Sequence, residues 1–213
     1  MPGTAITPIT PAALADRIAG LVVQRTGRRV RLVLDGAPPT RPAELAAAVA
    51  ELLRVRGRAA LVVDAGDYLR PASVRLEHGR RDVDMFLDGR LDEGGLCREV
   101  LDPASTSGSG RVLPRLWDAE RDRAHRDRYR ELPVDGVVLL AGALLLGRGL
   151  PAELAVHLRM SPAALARQLP VKDHWQLVAF ARYETERRPA AEADVLVLAD
   201  HPDRPAVRMR EGG

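Results

Sequence analysis

Aromatic residues make up only 3% of this 213-residue chain, too few rings for the stacking platform that single-stranded nucleic acid needs. Cys97 is the only cysteine, so no internal disulfide can form, and it reads as a packed small hydrophobe. Lysine is equally scarce. Lys172 stands alone and nearly every other cation is arginine, which gives a sequence pI of 9.6 beside a net charge of only +3. The arginine and alanine excess has the look of a high-GC genome; with no basic stripe beside it, nucleic acid is not an expected partner. No hydrophobic run approaches the roughly 20 residues that span a bilayer, and 29% of residues are charged, so no membrane association is expected. Met1 to Thr10 lack the basic start and apolar stretch of a secretory leader, which points to the cytoplasm.

What remains is a chain 46% hydrophobic, enough for one sizeable core. The expectation is one domain over residues 1–213. A leading helix over 11–27 runs to a stop at Gly27. Arg29 to Leu34 (RVRLVL) reads as a strand entering Asp35-Gly36 and a Pro-rich turn, followed by a helix over Pro42 to Arg56. Arg58 to Asp64 reads as a second strand, followed by the loop Gly66 to Pro71 (GDYLRP). Residues 72–133 are polar and irregular, with a short helix over Glu93 to Leu101 and a Ser/Gly tract over 105–110. Further strands fit within Val134 to Leu146, over Leu154 to Met160 and over Ala193 to Leu198, with Ala206 to Met209 beside the last. Helices fit Pro162 to Leu169, with Ser161 as its N-cap, and Asp173 to Arg187. This alternation predicts an α/β fold, a three-layer parallel sheet flanked by helices.

Strand, Asp35-Gly36, a loop of about six residues, then a helix is the layout of the Walker A phosphate-binding loop, G-x-x-x-x-G-K-[ST]. Other segments follow in order: Gly66 to Pro71, Leu101-Asp102-Pro103 before a Gly-rich tract, Trp117 to Asp122 (WDAERD), the apolar strand Val137 to Leu146, and Ala193 to Val197 (ADVLV). Together, from about Ala12 to Arg210, they resemble the uridine kinase family of P-loop proteins. The resemblance implies a P-loop fold, a nucleoside-like acceptor and ATP with magnesium.

The departures from that family's pattern carry the functional expectation. Aligned from Gly36, the chain reads GAPPTRPA and places Arg41, Pro42 and Ala43 where glycine, lysine and Ser/Thr belong. Pro38, Pro39 and Pro42 have no N–H to offer a phosphate, and Ala43 cannot ligate magnesium. Gly66 stands where the family has the acid that activates the acceptor hydroxyl, with Asp67 displaced by one, and Ala141-Gly142 stands where the Walker B acid precedes glycine. Phosphoryl transfer rests on positioning and charge stabilisation by lysine and metal, so the main apparatus is missing. ATP and magnesium are therefore expected as cofactors only if the altered loop still binds.

Asp67, Tyr68, Arg70, Trp117, Asp118 and Asp122 are the candidates for a retained nucleoside-side pocket, with Asp64 nearby; solvated loop charges are the competing reading. Asp35 reads as a cap for the turn that follows it. Arg167 and Lys172 resemble the family's lid cations, or are exposed helix charges. The five histidines show no metal-ligand spacing, and His157 reads as a satisfied core residue. Trp117 to Arg130 (WDAERDRAHRDRYR) reads as a solvated helix with i,i+4 pairs. The function expected is that of a pseudokinase acting as a binding or regulatory module with a protein partner or as a homodimer. The alternatives are an enzyme of altered chemistry in the acceptor pocket and an atypical kinase holding ATP through Arg41, Arg167 and Lys172.

Overall fold

A computed structural model describes residues 6–210; the first five residues, half of the segment read for a leader, lie outside it. The chain enters through a two-residue strand, β1 (Thr7–Pro8), and helix α1 (Pro11–Val23), which starts where the Thr10 hydroxyl accepts the Ala13 N–H at 3.2 Å. Leu14, Ala15, Ile18, Ala19 and Val22 recur at helical spacing and form its buried face. Strand β2 (Val30–Gly36) leads through a 3-10 turn into α2 (Pro42–Val55), which ends before Gly57 (φ 76°), and β3 (Ala60–Asp64) follows.

The polar middle contains short helices α3 (Ala72–Arg75) and α4 (Glu93–Leu96), the latter running on into a π-type turn over Cys97–Leu101. Four two-residue strands follow: β4 (Arg111–Val112), β5 (Trp117–Asp118), β6 (Arg123–Ala124) and β7 (Arg130–Glu131). They pair as two ribbons, β4 with β7 and β5 with β6. The helix expected over Trp117 to Arg130 is therefore absent. Asp118 uses its carboxylate to accept the N–H groups of Glu120 (3.1 Å) and Arg121 (2.9 Å), and Asp122 turns left-handed at φ 49°. Such local bonds compete with helix formation and close a hairpin instead.

After this excursion the chain returns to the sheet with β8 (Val137–Gly142) and β9 (Leu154–Arg159), then α5 (Pro162–Gln168), α6 (Gln176–Arg182), α7 (Pro189–Glu192), β10 (Val195–Leu198) and β11 (Ala206–Met209). The sheet has seven strands in the order β1-β11-β10-β9-β2-β8-β3; the five from β10 to β3 are parallel, and β11 and β1 are antiparallel additions at one edge. Both faces are covered, which is why its central strands read as continuous apolar runs. Leu32, Leu34, Leu139 and Val156 meet α1 and α2 on one side, while Val33, Val63 and Leu140 meet the insertion, α5 and α6 on the other. The result is the three-layer α/β architecture expected.

Two buried arginines tie these layers together. Arg29 donates to the carbonyls of Leu132, Pro133 and Gly108 at 2.9–3.1 Å, and Arg58 to those of Val22, Arg28 and Asp135 at 2.5–2.9 Å. Part of the arginine excess is thus spent inside the protein on backbone carbonyls.

Candidate functional site

Open parallel α/β sheets bind ligands beyond the carboxyl ends of their strands. Here the ends of β2, β3 and β8, with the start of α2, enclose a cleft of about 520 Å³. One wall is the β2–α2 turn with Gly36, Arg41, Pro42 and Ala43; another is Asp64 to Gly66, and Ala141 to Leu144 form the floor. Phe86, Arg90 and Phe180 complete it from the insertion side and from α6.

The β2–α2 turn is a 3-10 turn over Pro38–Thr40 that spends two of its backbone donors on itself. The Thr40 N–H bonds the Ala37 carbonyl at 2.8 Å, the Thr40 hydroxyl donates to the same oxygen at 2.7 Å, and the Arg41 N–H bonds the Pro38 carbonyl at 3.0 Å. Prolines 38, 39 and 42 have no N–H. A side chain at Gly36 is sterically excluded: a Cβ there would lie 2.4 Å from Thr40 Oγ1 and 2.8 Å from Leu158 Cβ. Arg41 takes the left-handed conformation (φ 58°, ψ 52°) at the place of the pattern's second glycine, and its guanidinium pairs with Asp203 at 2.8 Å and Glu44 at 3.7 Å. ATP with magnesium fits these residues poorly. The turn offers no lysine and no side-chain oxygen at position 43, and among the described residues no group of three or more His, Cys, Asp or Glu side chains is placed to hold a metal ion.

Behind the turn lies a buried polar network. Asp35, fully buried at the end of β2, faces His157 on β9 in the strand register. His157 Nδ1 lies 2.7 Å from Asp35 Oδ2, and its Nε2 lies 2.9 Å from Glu184 Oε1. The Tyr183 hydroxyl donates to Asp35 at 2.9 Å and accepts the Leu146 N–H at 2.8 Å. Burial alone would lower the imidazole pKa, but the hydrogen bonds and charges of Asp35 and Glu184 outweigh it and raise His157 to about 9. His157 is thus an imidazolium clamped between two carboxylates. Burial and the neighbouring Asp35 charge push the Tyr183 phenol up, so it stays protonated. Contrary to the expectation that Asp35 caps the turn following it, its second oxygen accepts the Leu145 N–H at 2.8 Å, so it holds the turn after β8. The Pro-rich turn closes on its own carbonyls and leaves Asp35 free for that partner.

The residues read as a retained acceptor pocket do not line the cleft. Tyr68 is fully buried, with its hydroxyl donating to the Leu113 carbonyl. Arg70 is exposed. Trp117 Nε1 donates to Asp122 at 3.2 Å, and Asp122 also accepts the Ala72 N–H at 2.7 Å, so the two fix the β5–β6 hairpin to α3. The Asp118 carboxylate is held below the usual range by the Arg121 and Glu120 N–H groups and the Arg121 guanidinium, and it closes that hairpin. Asp67 is the exception in chemical character. Burial raises its pKa against the attraction of His125, whose Nε2 lies 3.1 Å away, and Asp67 lines a second hollow with Asp64, Arg115 and Asp127. Arg167 and Lys172, on α5 and the turn after it, are exposed and do not line the cleft. Sequence reasoning missed His125 as the partner of Asp67, Glu184 as the partner of His157, and Arg90 in the cleft wall; none sits in a motif.

Strand order, the turn-to-helix junction at the end of the central strand and the cleft beside it define an α/β fold with its cleft at the carboxyl ends of the parallel strands. The chain superposes on a possible uridine kinase from Bacillus stearothermophilus with a TM-score of 0.68 at 20% identity, covering 86% of this chain and 98% of that one. It also superposes on a protein provisionally named a fructose transport system kinase from Silicibacter sp. TM1040, with a TM-score of 0.61 at 23% identity, covering 87% of this chain and 95% of that one. No family model matches the sequence, and no curated protein matches it. The fold is that of the uridine kinase-like P-loop kinases. Among the described residues no helix is long and apolar enough to cross a membrane.

Proposed function

We propose that this chain is a catalytically degenerate uridine kinase-like protein, a pseudokinase that keeps the cleft of the fold as a binding or regulatory module and does not transfer phosphate from ATP. The observation that carries the proposal is the β2–α2 turn, where Thr40 and Arg41 turn their N–H groups to Ala37 and Pro38 and the Arg41 side chain is paired with Asp203. A triphosphate binds such a turn through inward-pointing N–H groups and a lysine, and its transfer needs metal to offset the developing charge. Each requirement meets a residue of the wrong kind. In this reading the ligand of the cleft, or a partner protein that senses it, is the object of function. Incubating the purified protein with magnesium and ATP, alone and with uridine or cytidine, is expected to release no ADP above a buffer control; ADP release that follows the protein through purification would overturn the proposal.

A second reading, an enzyme of altered chemistry, is favoured by the Asp67–His125 contact at 3.1 Å. A carboxylate paired with an imidazole beside a hollow is a general-base arrangement. It predicts that nucleosides shift the His125 ring resonances in NMR and that D67N abolishes the effect; unshifted resonances at saturating nucleoside would remove this reading.

A further inference from the structure

Among the described residues only two buried side-chain nitrogen or oxygen atoms lack a hydrogen-bond partner, and both are arginine Nε atoms, those of Arg75 and Arg90. Buried polar groups in folded proteins are almost always paired, and here the two side chains are half-buried with their Nε atoms enclosed and unmatched. Arg75 still donates through Nη2 to the Ala119 carbonyl. The Arg90 side chain makes no hydrogen bond and no ion pair to any described residue; its guanidinium lies over the Phe86 ring, 5.0 Å from the centroid. Burial lowers the Arg90 pKa, and the neighbouring Arg75 charge lowers it further. Two like charges brought together without a carboxylate between them cost stability unless something anionic joins them.

Arg90 lines the 520 Å³ cleft, and it is the only one of the three arginines there without partners. Arg41 is paired with Asp203, and Arg148 donates to the carbonyls of Leu144 and Leu87 and to Glu93. The backbone beneath Arg90 is pinned: its carbonyl accepts the Arg70 N–H and the Asp92 N–H reaches the Tyr68 carbonyl, both at 2.8 Å, with Leu69 and Leu91 bridging between them. Phe86 is itself packed edge-on against Trp175 and Phe180. The guanidinium is thus a fixed cation on an aromatic platform, and Leu91, Leu144 and Phe180 beside it offer apolar cover for an organic body.

We infer that Arg90 is the anchor of an oxyanion site in the cleft, and that the cleft takes a small organic molecule bearing a phosphate monoester or carboxylate, with Arg75 reinforcing the field. A planar guanidinium with free N–H groups matches either oxyanion bidentately. This rests on the reading of the cleft as a binding site but not on the loss of phosphoryl transfer, because Arg90 belongs to the insertion and not to the β2–α2 turn.

The test is calorimetric titration, without magnesium, of uridine monophosphate, 3-phosphoglycerate and malonate into the wild type, R90Q, R90K and R41Q, with uridine as the uncharged control. At least one anion is expected to bind in the micromolar to low millimolar range and uridine markedly more weakly. R90Q is expected to weaken that binding about tenfold or more, R90K by less, and R41Q not measurably. Preference for the phosphate esters or for malonate then identifies which oxyanion the site takes. Arg90 is half-buried and its Nε has no partner, so R90Q should leave the melting temperature close to that of the wild type, and lost binding is then not lost folding. No binding of any anion at 10 mM, or binding that R90Q leaves unchanged, overturns the inference. In the separate assay with magnesium and ATP, ADP release insensitive to R90Q would instead overturn the pseudokinase reading and leave this one standing.

Discussion

Raising the pH from 6.5 to 9 should remove about 3 kcal/mol of folding stability, nearly all of it through one residue. His157 stands 2.7 Å from Asp35 and 2.9 Å from Glu184, with Arg159 3.4 Å from the far side of Glu184 and the protonated Tyr183 hydroxyl sharing Asp35. The pair of carboxylates raises the imidazole from the ordinary 6.5 to about 9. At 1.36 kcal/mol for each pH unit between the two values, the folded state gains on the order of 3 kcal/mol from keeping the proton. The sign follows from the direction. A group whose pKa is higher folded than unfolded contributes fully below its unfolded value, so the contribution is intact at pH 6 and is lost as pH rises through 9. Urea unfolding at half-unit pH steps measures it. In H157Q, whose amide does not titrate, the slope over this window should vanish, while H157L should cost about 3–5 kcal/mol at pH 6 by leaving Asp35 buried without its cation. A wild-type stability that is flat from pH 6 to 9.5, or a slope that survives in H157Q, would refute the reasoning.

Other substitutions test the turn and the insertion. G36A forces a Cβ against Thr40 Oγ1 and Leu158 and should cost about 1–3 kcal/mol in urea unfolding. Arg41 holds φ 58°, so R41G should be no less stable than the wild type, whereas the β-branched R41V should lose about 1–2 kcal/mol; equal losses would mean that the Asp203 pair, and not the backbone, fixes this residue. Y68F strips the buried Leu113 carbonyl of its phenol donor and should lower stability by about 1–2 kcal/mol, read by thermal unfolding, with no change in cleft binding.

The strands of the sheet were legible because burial on both faces leaves unbroken apolar runs such as Val137 to Ala141. The start of α5 was legible because Ser161 precedes a proline at the first helical position, and its hydroxyl does accept the Ala164 N–H; Thr10 caps α1 in the same way but was not read as a cap. The insertion was not. Its charge spacing suits a helix, yet Asp118 and Asp122 capture nearby N–H groups, a competition that periodicity does not register. The site was legible in outline only. The altered residues of the β2–α2 turn stand in the sequence, but Asp35 and His157 are 122 positions apart and meet only because β9 lies beside β2. Arg90 belongs to no pattern; it is conspicuous only because the fold gives it no partner.

The account turns most directly on whether the altered turn grips nucleotide, and isothermal titration of ATP with magnesium into the wild-type protein decides it. No magnesium-dependent heat up to millimolar ATP is the predicted result. Micromolar, magnesium-dependent binding would contradict it, and would mean that Pro38 to Ala43 cradle a triphosphate despite their missing donors.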